Sequence, residues 1–274
     1  MSEHRLGEIL EKAVAKYVGE YSYDPEALTQ MQVDAYNNAE GNLNEYDGYN
    51  CSHCKNKGFI ARVDENGNEV HRPCKCSKVR ETLRKARKSG LGNILSDYTF
   101  DKYKTENKWQ NDLKNTALAF CKDDEAKWFF IGGQVGIGKT HLCTAIAGYY
   151  IKAGYDTQYM LWCEESKRLK AIVNDFALYH EAINKYKEAS VLYIDDFLKT
   201  QNGEQPTKGD INLAFEILNS RLMEADKITI ISSEKTLTDI LGYDEATMSR
   251  IYQKTGKYKT NIAKDLEKNY RLRG

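Results

Sequence analysis

Eight consecutive residues, Gly133-Gln134-Val135-Gly136-Ile137-Gly138-Lys139-Thr140, set three glycines, a lysine and a hydroxyl at a spacing suited to one task. A nucleoside triphosphate carries several negative charges. Holding it takes inward-turned backbone N–H groups, a helix N-terminus and a cation that reaches the outer phosphates. Gly133, Gly136 and Gly138 permit the tight turn and the close approach, Lys139 would span the β and γ phosphates, and the Thr140 hydroxyl would ligate Mg²⁺. Gln134, Val135, Ile137 and His141 complete the segment expected to contact ATP. Its surroundings separate it from a glycine turn that merely joins strand to helix. Phe129-Phe130-Ile131 before it reads as a buried strand, and Leu142, Ala145 and Ile146 after it as the apolar face of a helix.

A second group with the same chemistry in view is Val191-Leu192-Tyr193-Ile194-Asp195-Asp196, an apolar run that ends abruptly in two carboxylates. Asp195 would hold Mg²⁺, and Asp196 would orient or deprotonate the water attacking the γ-phosphate. A solvated strand end or a helix cap is the plainer alternative. Aspartate at the second position is shorter than the glutamate more usual there, which leaves the rate of hydrolysis open.

Cys51-Ser52-His53-Cys54 and Cys74-Lys75-Cys76 form two closely spaced pairs around Asn66-Gly67-Asn68, a turn that reads as the tip of a hairpin. Two such pairs brought together supply four thiolates for tetrahedral Zn²⁺, a closed and therefore structural site; His53 and His71 are possible substitutes, and a redox dithiol is the competing reading. Cys121, Cys143 and Cys163 read as small core residues.

The elements that must position these groups follow from pattern. Strands are expected at Trp128–Ile131, Thr157–Leu161, Val191–Ile194 and Ile228–Ile231, with helices at 139–153, at 163–186 with a break, and at 210–224. Alternation of this kind predicts an α/β domain built on a parallel sheet covered by helices on both faces. Ahead of it, Leu6, Ile9, Leu10, Ala13, Val14 and Tyr17 stripe an amphipathic helix over 5–18, and a weaker helical signal covers 25–38. The expected organisation is an acidic helical arm over 1–50, a zinc knuckle and basic linker over 51–90, stopped at Ser89-Gly90, and a nucleotide domain over 91–274. In 274 residues, 40 lysines and arginines balance 40 aspartates and glutamates, so whole-chain charge points to no partner. Its distribution is uneven: residues 1–50 hold three basic and ten acidic residues, residues 51–100 eleven and five. The basic helix carrying Lys78, Arg80, Arg84, Lys85, Arg87 and Lys88 fits either nucleic-acid phosphates or a solvated linker. Lack of a membrane-length apolar run and of a secretory signal leads to an expectation of a cytoplasmic protein without a membrane partner.

Over roughly residues 50–274 the sequence resembles the AAA+ helicase loaders of the DnaC and DnaI type and the related IstB transposition ATPases. The resemblance rests on Gly133–Leu142, on Ile194-Asp195-Asp196-Phe197, on Ile230-Ile231-Ser232-Ser233-Glu234, on Ser249-Arg250-Ile251 and on Asn269-Tyr270-Arg271-Leu272. It implies a P-loop NTPase domain of the AAA+ kind, preceded by a small zinc-binding and helical N-terminal domain. It also implies ATP hydrolysis to ADP and phosphate at a slow, partner-stimulated rate, with sensor residues in Ser232–Glu234 (Ser233 and Glu234 foremost), Arg250 as an arginine finger toward a neighbouring subunit, and Arg271 as a second sensor. Glu234 stands where loaders usually carry asparagine. The chain's end soon after Arg271 implies that a separate helical lid is absent or vestigial. The partners implied are a hexameric replicative helicase of the DnaB type, single-stranded DNA and further copies of the same ATPase domain. Two other roles share the same core: an IstB-like transposition helper, and a nucleotide-dependent adaptor with negligible turnover.

Overall fold

The computed structural model describes residues 25–88, 91–200 and 204–269. The amphipathic stripe of 5–18, the stop at Ser89-Gly90 and Arg271 lie outside them. The chain divides into two compact units, Met1–Cys74 and Lys75–Gly274.

In the smaller unit, helices α1 (Pro25–Asn38) and α2 (Leu43–Asp47) precede an antiparallel hairpin of β1 (Phe59–Val63) and β2 (Glu69–Pro73). The Asn66-Gly67-Asn68 turn lies where the sequence put it, with Gly67 at φ 80°, a left-handed value that glycine adopts without strain. Val33 of α1 and Ala61 of β1 are buried, and the Asn37 side chain both donates to the Ala61 carbonyl and accepts from its N–H, at 2.9 and 3.1 Å.

The larger unit begins with α3 (Cys76–Lys88) and α4 (Gly92–Leu95). The basic helix, expected as a linker, instead packs against a strand and a helix of this unit, with Val79, Arg80 and Thr82 buried. After α5 (Lys108–Lys122) come β3 (Trp128–Gly133), α6 (Lys139–Lys152), β4 (Thr157–Leu161), α7 (Trp162–Ala171), α8 (Phe176–Glu188), β5 (Val191–Asp195), α9 (Lys208–Leu222), β6 (Ile228–Ser233), α10 (Leu237–Leu241), α11 (Glu245–Thr255) and β7 (Lys259–Ile262). The break expected within 163–186 is real: Asp175 caps α8 by accepting from the Leu178 N–H at 3.1 Å.

All paired strands of the five-stranded sheet are parallel, in the order β4-β5-β6-β3-β7. Successive side chains of a strand point to opposite faces, so each central strand feeds two cores. Phe129, Ile131, Val191, Tyr193 and Ile230 pack with Ala117 and Phe120 of α5 and Leu142 and Ile146 of α6. Trp128, Phe130, Leu192, Ile194 and Ile231 pack with Leu169, Ile183, Leu213 and Ile217 of the helices on the other face. Cys121 and Cys143 are buried as expected, whereas Cys163 is only half-buried. In a parallel sheet every strand delivers its C-terminal end to the same edge. With β6 between β3 and β5, the 133–140 loop, the Ser232–Glu234 segment and the Asp195-Asp196 pair converge there.

Candidate functional site

The loop after β3 takes left-handed backbone at Gly133 (φ 116°) and Gly138 (φ 85°). A Cβ on Gly133 would lie 2.0 Å from the Ile262 carbonyl oxygen, so strand β7 enforces glycine there as strictly as any ligand could. Lys139 is the first residue of α6 and only 7 % exposed. Its ammonium donates to the Gly133 and Gln134 carbonyls at 2.8 and 2.7 Å, which folds the side chain over the loop. Burial pushes its pKa below the ordinary lysine value, against the opposing pull of Glu234 and Asp196. The Gln134 side chain is tied to the backbone of Asp265, and it donates to that carbonyl at 2.7 Å.

Asp195 ends β5 and is 4 % exposed, yet its carboxylate is well supplied with donors. Oδ1 accepts from the Thr140 hydroxyl at 3.2 Å, from the Asp196 N–H at 3.2 Å and from the Ser232 hydroxyl; Oδ2 accepts from the Tyr159 hydroxyl at 3.1 Å. Thr140 and Asp195, the two expected Mg²⁺ ligands, are thus already in contact. An oxygen set of hydroxyl plus carboxylate beside a phosphate loop fits a hard divalent cation.

Asp196 lies just past the strand in left-handed backbone, φ 55°, and Leu198 repeats this at φ 57°. Between them the chain turns sharply, with the Lys199 N–H donating to the Asp196 carbonyl at 2.9 Å. Lys199 then bridges two carboxylates, Asp196 Oδ2 at 2.9 Å and Glu234 Oε1 at 2.8 Å. Of the expected sensor residues, Ser233 faces backbone: its hydroxyl donates to the Phe197 carbonyl at 2.7 Å and accepts from the Lys235 N–H at 3.0 Å. Ser232, one residue earlier, is the one that touches Asp195.

These groups open into a cavity of about 430 Å³ lined by Val135–His141, Asp196, Lys199 and Glu234 on one side. Its opposite wall, Tyr98 and Lys102–Lys104, was not foreseen, because these residues carry no phosphate-binding signal of their own. His141 joins the two sides. Its ring stacks on Tyr98 with centroids 4.8 Å apart, meets Tyr103 edge-on at 5.2 Å and hydrogen-bonds the Thr99 carbonyl at 2.8 Å. Burial lowers the His141 pKa, favouring the neutral ring. Arg250 is not brought to this cavity: on α11 it donates to the Ala246 carbonyl at 2.7 Å and lies over the Phe215 ring at 4.5 Å.

Cys51, Cys54, Cys74 and Cys76 do come together, with all four sulfurs within 4.8 Å of one another. Cys51 Sγ and Cys74 Sγ are 3.8 Å apart, which equals the edge of about 3.8 Å that a tetrahedral ion imposes with sulfur at about 2.3 Å. The first pair sits in a tight knuckle, where the Lys57 N–H donates to the Cys54 carbonyl at 3.0 Å and the Gly58 N–H to Cys54 Sγ at 3.2 Å. Arg80 donates to Cys76 Sγ at 3.5 Å, so this buried cation of the basic helix serves a sulfur and is withdrawn from solvent. His53 and His71 are exposed and outside the cluster; His71 bonds Glu69 at 2.8 Å.

A phosphate loop opening a helix at the C-terminal edge of a five-stranded parallel sheet, with an acidic strand end two strands away, defines a nucleotide-binding domain of the AAA+ class. The chain belongs to the family of the bacterial DnaA ATPase domain, whose model matches residues 94–256. It is 32% identical over 247 residues to the phage-like element PBSX protein XkdC of Bacillus subtilis (strain 168), covering 86% of this chain and 90% of that protein. To the chromosomal replication initiator protein DnaA of Thermoanaerobacter sp. (strain X514) it is 31% identical over 205 residues, 73% of this chain but 44% of that relative. Among solved structures, the DnaC helicase loader superposes with a TM-score of 0.51 at 21% identity, over 62% of this chain and 98% of that one. DnaI superposes with a TM-score of 0.50 at 19% identity, over 65% and 98%. DnaA bound to AMPPCP and single-stranded DNA gives 0.50 at 23%, over 61% and 50%. The loader fold anticipated from the sequence is therefore present, in a replication-related AAA+ protein. No helix among the described residues is long and apolar enough to cross a membrane.

Proposed function

We propose that the protein is an ATP-dependent helicase loader, which binds a hexameric replicative helicase and delivers it onto single-stranded DNA. The observation that carries this reading is the convergence of Lys139, Thr140 and Asp196 on one cavity, with Asp195 bonded to Thr140 beside it, in a chain whose ATPase unit shares its fold with the DnaC and DnaI loaders. In this mechanism the 133–140 loop binds the phosphates of ATP, and Lys139 leaves its loop carbonyls for the outer phosphates. Thr140 and Asp195 would hold Mg²⁺, which supplies neutralisation of phosphate charge when bound. Asp196 accepts a proton from the attacking water. Ser232 and Tyr159 fix the Asp195 carboxylate.

Arg250 acts on a neighbouring copy, reaching the terminal phosphate bound there, so that ATP completes a contact between ATPase domains. The four cysteines hold a structural zinc ion, and the unit around them grips the helicase. Loading takes place in the cytoplasm.

Capture of a hexameric replicative helicase by the full chain, with ATP and with ADP, tests the role. Nucleotide-dependent capture is expected. No capture under either nucleotide refutes loading. For the chemistry, Asp196→Asn should keep ATP affinity and abolish hydrolysis; a variant that hydrolyses like the parent removes Asp196 from its assigned role.

A further inference from the structure

Lys199 belongs to no part of the phosphate loop, yet its ammonium sits in the nucleotide cavity, shared between Asp196 Oδ2 at 2.9 Å and Glu234 Oε1 at 2.8 Å. The turn that brings it there is costly. Asp196 and Leu198 are both non-glycine residues in left-handed backbone, a conformation that disfavours side chains and persists where the surroundings over-determine it. Asp196 is bonded at its N–H by Asp195 Oδ1 and Ser232 Oγ at 3.2 and 3.3 Å, and Leu198 is fully buried. These contacts fix the backbone at Asp196 and Leu198, while the Lys199 side chain remains about a third exposed.

The charges explain why a cation is needed at that place. Asp196 and Glu234 line the cavity and Asp195 accepts from Thr140, which lines it too, so three carboxylates would stand near a bound polyanion. Lys139 and a Mg²⁺ held by Thr140 and Asp195 would serve the phosphates from the loop side, whereas the ion pairs of Asp196 and Glu234 are made by Lys199. Burial acts to lower the Lys199 pKa, but the hydrogen bonds to Glu234 and Asp196 outweigh it and hold the group above the ordinary lysine value, so it is a full ammonium at any working pH.

We propose that Lys199 is the residue that reads the γ-phosphate in this protein, with Glu234 as its resting partner. This rests on the cavity being an ATP site. With ADP bound, Lys199 stays between Asp196 and Glu234, where it occupies the carboxylate needed for the attacking water. With ATP bound, the γ-phosphate oxygens compete for the ammonium, a point charge on a flexible stem that can reach them by rotation alone. Lys199 swings onto the phosphate, and Asp196 Oδ2 is released to accept a proton. One side chain thus couples recognition of the third phosphate to exposure of the base. Because a conformational change can be driven only by differential affinity, Lys199 must favour ATP over ADP by the strength of that contact.

Isothermal titration of the full chain with ADP and with a non-hydrolysable ATP analogue, in parent, K199M, K199Q and K199R proteins, tests this. A charge-assisted contact predicts that K199M and K199Q weaken the analogue by about tenfold or more. ADP affinity should stay within about twofold of the parent, which also reports that the fold is intact, and K199R should recover most of the discrimination. Equal weakening of both nucleotides in K199M and K199Q, or no weakening of either, overturns the assignment. A parent protein that binds neither nucleotide overturns the ATP reading itself, a result distinguishable from the other two.

Discussion

Tyr159→Phe removes one oxygen atom and is the most discriminating perturbation of the acidic strand end. The Tyr159 hydroxyl donates to Asp195 Oδ2 at 3.1 Å, while Thr140, Ser232 and the Asp196 N–H all converge on Oδ1. Phenylalanine keeps the ring that packs on Tyr193, centroids 5.2 Å apart, so the change isolates the hydrogen bond. Asp195 is 4 % exposed, which leaves water little access to replace the lost donor. A hydrogen bond to a charged group contributes roughly 1.5–3 kcal/mol, and with three donors remaining we take the lower end, about 1.5–2 kcal/mol. Each kcal/mol moves the melting temperature of a domain of this size by roughly 2–4 °C, so thermal unfolding followed by circular dichroism should show a fall of about 3–8 °C. Loosening an outer partner of a metal-binding carboxylate weakens metal affinity by roughly 10–100-fold, so half-saturation by Mg²⁺ in an ATP-binding titration should rise by at least about tenfold. A variant that melts with the parent and shows the same Mg²⁺ dependence would refute the view that Tyr159 orients Asp195.

Gly133→Ala forces a Cβ to 2.0 Å from the Ile262 carbonyl at a φ of 116°, and should cost more than about 2 kcal/mol while abolishing nucleotide binding; near-parental melting would contradict it. The four-cysteine cluster should carry about one zinc ion per chain by elemental analysis, and Cys54→Ser should release it; protein free of zinc yet melting unchanged would argue against a structural metal. Asp210 gives a pH signature. Burial acts to raise its pKa, but the bonds to Lys170 and Thr207 outweigh this and leave it below the ordinary 3.8. A depressed carboxylate contributes stability that is present above the unfolded value and lost as pH falls through the folded one. Asp210→Asn should therefore be less stable than the parent at pH 7, with the gap closing below about pH 4 in acid titrations; a gap that does not change with pH would exclude this ion pair as its source.

Much of the sheet was legible because buried parallel strands read as continuous apolar runs, as in Trp128–Ile131 and Val191–Ile194. Strand β7, Lys-Thr-Asn-Ile, lacks such a run: it pairs only with β3, at the sheet edge, and three of its four residues are half-buried or exposed. The phosphate loop was legible for the same reason that it works, since its glycines, lysine and threonine act at fixed spacing within eight residues. Contacts distant in sequence left no comparable trace. Tyr159 meets Asp195 through β4–β5 pairing, Lys199 meets Glu234 through the approach of two strand ends, and Tyr98 meets His141 through packing of a loop on α6. The packing of the basic helix was hidden on similar grounds. Its charges are evident in the sequence, but only packing shows that Arg80 is buried against Cys76.

The position of Ser232 follows from strand order. Because β6 lies between β3 and β5, the side chain that ends it is the nearest neighbour of both the loop and the acids, and register decides which residue that is. Phe130 pairs with Ile231 and Ile131 with Ser232, so Ile231 faces the core shared with Trp128 while Ser232 turns to the other side, toward Asp195. Successive residues alternate faces, so Ser233 turns back to the Phe197 carbonyl. Exchanging the roles of these two serines would take a one-residue slip of β6, which would also move Ile230 and Ile231 to the wrong cores. The apolar register of the strand therefore fixes which hydroxyl serves the acid.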